Sequence, residues 1–156
     1  MKETLKPGLK HQFKYVVPKD KTVPYLYTES AEMQGMPEVF ATPFMIGIME
    51  WACARLIASH LEDGEGTLGV AVDVSHIAAT PVGFTVTVDA ELLEVDGRKL
   101  WFLVRAHDGV DVIGEGRHGR VVVDWARFKR RLSEKVSRHD PQAKETELSL
   151  GVSRHG

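Results

Sequence analysis

Apolar residues between positions 43 and 60 are so dense that they cover nearly every face of a predicted helix. A helix of about five turns with this pattern belongs inside a protein, wrapped by other elements. Thr42 and Pro43 mark its start, because threonine is a common N-cap and proline is favoured at the first helical position. Gly47 indicates close packing against the helix backbone, since glycine costs about 1 kcal/mol relative to alanine there. Glu50 is the only acid in the run, and burying a carboxylate is costly unless it is paired or functional.

From residue 67 onward the apolar positions alternate with a period of two, which predicts successive strands. Asp96-Gly97 and Asp108-Gly109 are hairpin turn signals between them. A short amphipathic helix is predicted over residues 124–137. With one earlier strand, the predicted strands are residues 10–17, 67–78, 84–95, 100–107 and 110–123.

One long helix and a meander of strands predict an α+β fold, in which a curved antiparallel sheet of about five strands wraps around the helix. Residues 1–137 are predicted to form a single domain. Residues 138–156 are polar and aperiodic and predict a disordered tail. A partly uncovered sheet edge favours a homodimer or a higher oligomer.

The segment between the first strand and the helix, residues 21–41, is long and irregular. A long loop that carries aromatic side chains and methionines is typical of a functional lid or pocket wall. Its apolar members are Tyr25, Tyr27, Met33, Met36, Val39 and Phe40.

Composition narrows the possible functions. The 156 residues are 43% apolar and 27% charged with a net charge of −2, and no basic stripe with interleaved aromatics indicates nucleic-acid binding. The single Cys53 excludes a disulfide framework within the chain, and no spacing of ligating residues predicts a metal site. The N-terminus lacks the apolar core of a signal peptide, and the helix at 43–60 is too short to cross a bilayer comfortably. A cytoplasmic protein without a membrane partner is therefore expected.

Several local stretches resemble the hotdog-fold thioesterases, and most closely the fluoroacetyl-CoA thioesterase family. They are residues 37–42, 44–53, 64–69, 106–111, and His76 with 78–81. The similarity runs from about residue 7 to residue 136. It implies a hotdog fold that hydrolyses a short, or substituted acetyl, acyl-CoA thioester, without a cofactor because CoA is part of the substrate.

The same resemblance implies roles for individual residues. The family's catalytic threonine, glutamate and histidine fall on Thr42, Glu50 and His76. Its glycine near the thioester falls on Gly69, and an arginine near the acyl or CoA group falls on Arg120.

The substrate-binding residues implied for the lid are Met33, Met36 and Phe40. The two methionines stand where that family carries phenylalanines. Pro43 stands where a glycine is expected after the catalytic threonine.

Hydrolysis of a thioester needs a nucleophile or an activated water, a proton-transfer partner and donors for the developing oxyanion. Thr42 is either a plain N-cap or a hydroxyl beside the free N–H groups of the first helical turn. Glu50 is either a buried acid satisfied by a neighbouring strand, or the general base or nucleophile. His76 faces inward if the alternation holds, and is either a core histidine or a catalytic one. His118 lies between two arginines, which suits either CoA phosphates or a solvated edge strand.

Two other functions remain open from the sequence. One is a hotdog protein that binds an acyl-CoA or an acyl carrier without turning it over. The other is a hydratase or dehydratase, but that chemistry usually needs a paired aspartate and histidine on a loop-to-helix segment, and no such pair lies near residues 42–60.

Overall fold

The computed structural model describes residues 1–139 and contains the predicted α+β arrangement. All five predicted strands are present, and most boundaries move by only one or two residues. The elements, in chain order, are β1 (Lys10–Val16), α1 (Ala31–Gln34), α2 (Thr42–Ile57), β2 (Glu65–Val74), β3 (Thr85–Asp96), β4 (Lys99–His107), β5 (Val112–Asp124) and α3 (Trp125–His139).

The five strands form one antiparallel sheet in the order β1-β3-β4-β5-β2. Apolar and polar side chains alternate along β3 and β4, and the apolar ones point to the face of the sheet that carries α2. These side chains form the centre of the core: Val86, Val88, Ala90, Leu92, Leu100, Phe102, Val104 and Ala106. β1 and β2 are left as the two edges.

Helix α2 packs one side on this sheet, whereas the sequence predicted a helix wrapped on nearly every face. Met45, Met49 and Cys53 are fully buried, but Gly47 and Trp51 lie on an exposed strip. A single sheet covers only one side of a helix, which is the reason for the difference. The prediction of close packing at Gly47 is wrong within this chain, because nothing lies within 4 Å of a side chain placed there.

The start of α2 also differs from the prediction. Ala41 occupies the N-cap position, so Thr42 and Pro43 are the first and second helical residues. The N–H groups of Phe44 and Met45 both donate to the Ala41 carbonyl, at 3.0 Å each. The Thr42 hydroxyl is therefore available for another partner.

Strand β2 ends at Val74, four residues before the predicted end. Backbone pairing with β5 nevertheless continues, since the N–H groups of Ser75 and Ile77 donate to the carbonyls of Glu115 and Ile113 at 2.9 and 2.8 Å. This extension carries His76 along the edge of the sheet on its inner side, as the alternation predicted.

The predicted lid consists of short turns and the single-turn helix α1. Its base is fixed to the body, because Phe40 is buried and its N–H donates to the Thr80 carbonyl at 2.8 Å. Tyr25, Tyr27 and Met36 remain exposed above it.

Helix α3 runs to His139, two residues past the predicted domain boundary. The rest of the segment predicted to be a disordered tail, residues 140–156, lies outside the described residues. Within residues 1–139, no helix combines the length and apolarity needed to cross a bilayer.

Candidate active site

Thr42 and His76 form a hydrogen-bonded pair at the beginning of α2. The Thr42 Oγ1 and His76 Nδ1 atoms lie 2.6 Å apart. The extension of β2 turns the imidazole inward, and the first helical turn presents the hydroxyl to it. A hydroxyl in contact with an imidazole is the arrangement that lets the ring accept a proton when the hydroxyl reacts.

The environment of His76 favours its neutral form. Burial lowers the pKa of the imidazole, and the backbone of Ala78 opposes this more weakly. Nε2 is buried and has no hydrogen-bond partner among the described residues. A neutral ring that accepts from Thr42 at Nδ1 carries its proton on Nε2, so this buried donor needs a partner from outside the single chain.

An apolar groove of about 320 Å³ opens beside this pair. Its lining combines the base of the lid with the strand extension: Val23, Val39, Phe40, Thr42, His76, Ile77, Ala78 and Ala79. Phe40 therefore lies beside the Thr42–His76 pair. Met33 and Met36 lie in and after α1 and do not line this groove.

Glu50 belongs to a second cluster, at the middle of α2. Its Oε1 atom lies 3.6 Å from Nη1 of Arg120 and 3.7 Å from Nε2 of His118. The prediction that Glu50 is buried is wrong for the single chain, because its side chain is 40% exposed. The exposed strip of α2 leaves the carboxylate facing the open space beside β2.

Arg120 is the most firmly held residue of this cluster. It is 7% exposed. Nε donates to Thr67 Oγ1 and Nη2 to the Thr67 carbonyl, both at 2.9 Å, and Nη1 lies 3.1 Å from His118 Nε2. The guanidinium therefore lies beneath the Glu50 carboxylate, with three of its five N–H donors directed at Thr67 and His118.

Gly69 allows the carboxylate to reach this position. A side chain at residue 69 would overlap Oε1 of Glu50. Gly69 pairs with Arg120 across β2 and β5, so both lie under the same carboxylate. Glycine is the residue that permits such a close approach to backbone.

We expect Gly69→Ala to displace the Glu50 carboxylate and to lower kcat/KM for a thioester substrate. A displacement of about 1 Å can cost about a hundredfold in rate. The melting temperature should change little, because the overlap is with the end of a flexible side chain. The same substitution at the open position Gly47 is the control; equal losses in the two variants would contradict this role for Gly69.

The structure therefore groups the predicted residues into two clusters. Thr42 and His76 form one, and Glu50, Gly69 and Arg120 form the other. Thr42 and Glu50 are eight residues apart on α2, which is about 12 Å along the helix axis.

Sequence reasoning underrated His118. The structure buries it beneath Glu50 on an inner strand of the sheet, so it belongs neither to a solvated edge nor to an exposed phosphate site. Its position two residues before Arg120 was the available signal, because residues i and i+2 of a strand share a face.

Cys53, on the same side of α2, is excluded as a nucleophile. Burial raises the pKa of its thiol to about 12, and only the thiolate is strongly nucleophilic. Within residues 1–139, no cluster of three or more histidine, cysteine or acidic side chains is placed to hold a metal ion.

A five-stranded antiparallel sheet that carries one long helix is the arrangement of the hotdog-fold thioesterases. A family model for fluoroacetyl-CoA-specific thioesterases matches residues 24–126. The chain belongs to this family and is a thioester hydrolase. The resemblance stated from the sequence is confirmed.

Three relatives illustrate the match. A fluoroacetyl-CoA thioesterase of Streptantibioticus cattleyicolor is 53% identical over 136 residues, which cover 87% of this chain and 98% of that protein. A solved structure of a fluoroacetyl-CoA thioesterase variant in complex with acetyl-CoA is 52% identical with a TM-score of 0.82, covering 84% of this chain and 98% of that one. A hot-dog-like protein from Thermanaerovibrio acidaminovorans is 22% identical with a TM-score of 0.73, covering 85% and 94% respectively, and supports the fold alone.

Proposed function

We propose that this protein hydrolyses a short acyl-CoA thioester to the free acid and CoA, with Thr42, Glu50 and His76 as the catalytic set. The observation that carries the proposal is the 2.6 Å contact between Thr42 and His76 beside an apolar groove. The substrate class is supported by relatives that are named for fluoroacetyl-CoA or solved with acetyl-CoA.

Two chemical routes use these residues. In the first, Thr42 Oγ1 attacks the thioester carbonyl, its proton passes to His76, and CoA leaves as the thiol after taking up a proton. Water then hydrolyses the acyl-threonine. In the second, Glu50 either activates a water molecule or attacks to form an anhydride, which water then opens. Both routes consume one water and release one acid and one thiol.

The test is release of free CoA thiol from a panel of short acyl-CoAs, including acetyl-CoA and fluoroacetyl-CoA. The wild type should release thiol well above the uncatalysed rate, and Glu50→Gln should not. Wild-type turnover no greater than that of Glu50→Gln would overturn the proposal.

A non-catalytic acyl-CoA binding protein is the second candidate, and one observation favours it. Pro43 has no N–H, and the N–H groups of Phe44 and Met45 are engaged by Ala41. Among the described residues, only the Thr42 N–H of this turn remains for an oxyanion. Tight binding of an acyl-CoA by calorimetry without thiol release would establish this alternative.

We also propose that the protein acts as a homodimer joined through β2. This strand is an edge, and Val70 at its bulge is 51% exposed. If the two β2 strands pair antiparallel, the C-terminal end of β2, which leads to His76, lies beside the N-terminal end of the partner's β2. In such a continuous sheet the α2 helices of the two subunits lie on the same side.

A charge on this edge should weaken the dimer. We expect Val70→Asp to shift the sedimentation coefficient toward that of a monomer and to lower activity in parallel, because a buried carboxylate without a partner is costly. Val110→Asp, at an exposed turn, is the matched control. A wild-type protein that sediments as a monomer at assay concentration would exclude the dimer.

The pH dependence follows from the half-buried His76 and the buried His118. Burial lowers the pKa of both His76 and His118. His76 must be neutral to accept a proton, so kcat/KM should fall only as the pH drops below the ordinary histidine range of about 6.5. The unfolded chain binds these protons at higher pH than the folded one, so the free energy of unfolding should also fall as the pH decreases. A fall in kcat/KM centred above about pH 6.5, or ordinary pKa values for these two histidines in NMR titrations, would contradict this.

A further inference from the structure

We propose that His118 is a positioning residue: as a neutral imidazole protonated on Nδ1, it holds the Arg120 guanidinium in place against Glu50. This inference rests on the proposed function, because the carboxylate it orients is the one assigned to thioester hydrolysis. His118 acts through Arg120 and has no contact with the substrate in this role.

Two partners determine the tautomer of His118. Nδ1 lies 2.9 Å from the carbonyl oxygen of Ala71, which can only accept, so Nδ1 carries the proton. Nε2 lies 3.1 Å from Nη1 of Arg120, which can only donate, so Nε2 presents its lone pair. The ring is 1% exposed and lies against Phe102, with ring centroids 6.3 Å apart. It therefore has little freedom to turn.

The lone pair of Nε2 completes the set of groups that fix Arg120. Thr67 accepts hydrogen bonds from Nε and Nη2, which fixes one edge of the guanidinium group. His118 accepts from Nη1, the nitrogen that also lies 3.6 Å from Glu50 Oε1. Without the Nε2 lone pair, Nη1 of Arg120 has no neutral acceptor to hold it beside the Glu50 carboxylate.

The surroundings favour the neutral ring. Facing it are Glu50 from α2, Arg120 from its own strand, and the Ala71 carbonyl from β2. Burial is the largest cause that lowers the pKa of His118, and Arg120 acts in the same direction, while the Ala71 carbonyl and Glu50 oppose them. A protonated ring would lose its lone pair and place a second positive charge against the guanidinium.

The experiment compares two amides at position 118. The shorter amide of His118→Asn can replace Nδ1 but leaves Arg120 without an acceptor. The longer amide of His118→Gln can place an oxygen near the position of Nε2. We expect His118→Asn to lower kcat for acetyl-CoA by about tenfold or more with KM nearly unchanged, and His118→Gln to recover much of that loss, as expected when a misplaced group is restored.

A double-mutant cycle with Arg120→Gln tests whether His118 acts through the arginine. In that background, His118→Asn should cost less than about twofold, because residues of one hydrogen-bonded network are not additive. His107→Asn, an exposed histidine on the outer face, is the control and should retain wild-type rates. Melting temperatures of all variants are measured beside the rates.

Three results would overturn the inference: equal losses in the asparagine and glutamine variants, additive costs in the cycle, or no loss in either variant. If His118→Asn does not fold, the nitrogen-15 NMR shifts of the wild-type His118 ring still decide, since a proton on Nε2 instead of Nδ1 would overturn the inference. A wild type that does not release thiol would contradict the proposed function itself, which is measured first and separately.

Discussion

Glu50→Gln is expected to lower kcat for acyl-CoA hydrolysis by about 10²–10⁴-fold, the usual contribution of a general acid or base. The substitution keeps the shape of the side chain and removes its charge. The carboxylate is partly exposed beside β2 and is held by Arg120 below it, so it is accessible to a substrate or water and fixed in position. Loss of a nucleophile or base at this point should lower kcat far more than it changes KM.

The measurement is thiol release at saturating acetyl-CoA, with circular dichroism to show that the fold is retained. Glu91→Gln is the matched control, because Glu91 has a similarly exposed side chain, 35%, and also contacts a cation, Lys10, at 3.5 Å. A kcat within threefold of wild type in Glu50→Gln would remove Glu50 from the catalytic set; this threshold is about half the 1.4 kcal/mol of a tenfold change.

Thr42→Ala is expected to lower kcat by about a hundredfold or more, within the range known for proton-transfer groups. The substitution removes the hydroxyl that contacts His76 at 2.6 Å and leaves Nδ1 without a protein partner. Because Thr42 is exposed and is not the N-cap, the free energy of unfolding should change by less than about 0.5 kcal/mol.

Thr42→Ser is the matched variant, since it keeps the hydroxyl and removes only a methyl group. It should retain kcat within about tenfold, and the pair separates the chemistry of the hydroxyl from packing. Equal losses in the alanine and serine variants would show that the methyl group matters and the hydroxyl does not. Full activity in Thr42→Ala would favour the route through Glu50 and water.

Much of the architecture could be predicted from local pattern. The period-two alternation identified the strands and the inward faces of β3 and β4, because successive side chains of a strand point to opposite faces. The apolar run identified α2, its start drew attention to Thr42, and its only acid is Glu50. The exposed strip of α2 could not be predicted, because an apolar surface looks the same in sequence whether its own sheet or another molecule covers it.

The candidate site, like the fold, was only partly predictable from the sequence. The sequence by itself, through its resemblance to the thioesterases, singled out Thr42, Glu50 and His76 as candidates, and the alternation along β5 determined that His118 and Arg120 share a face. Only the tertiary structure decided which groups meet: the start of α2 against the extension of β2 joins Thr42 to His76, and the register of β2 on β5 places Gly69 and Arg120 beneath Glu50. The physical reason is that these contacts link distant segments, and their geometry depends on sheet register and on helix placement, which no local pattern of residues specifies.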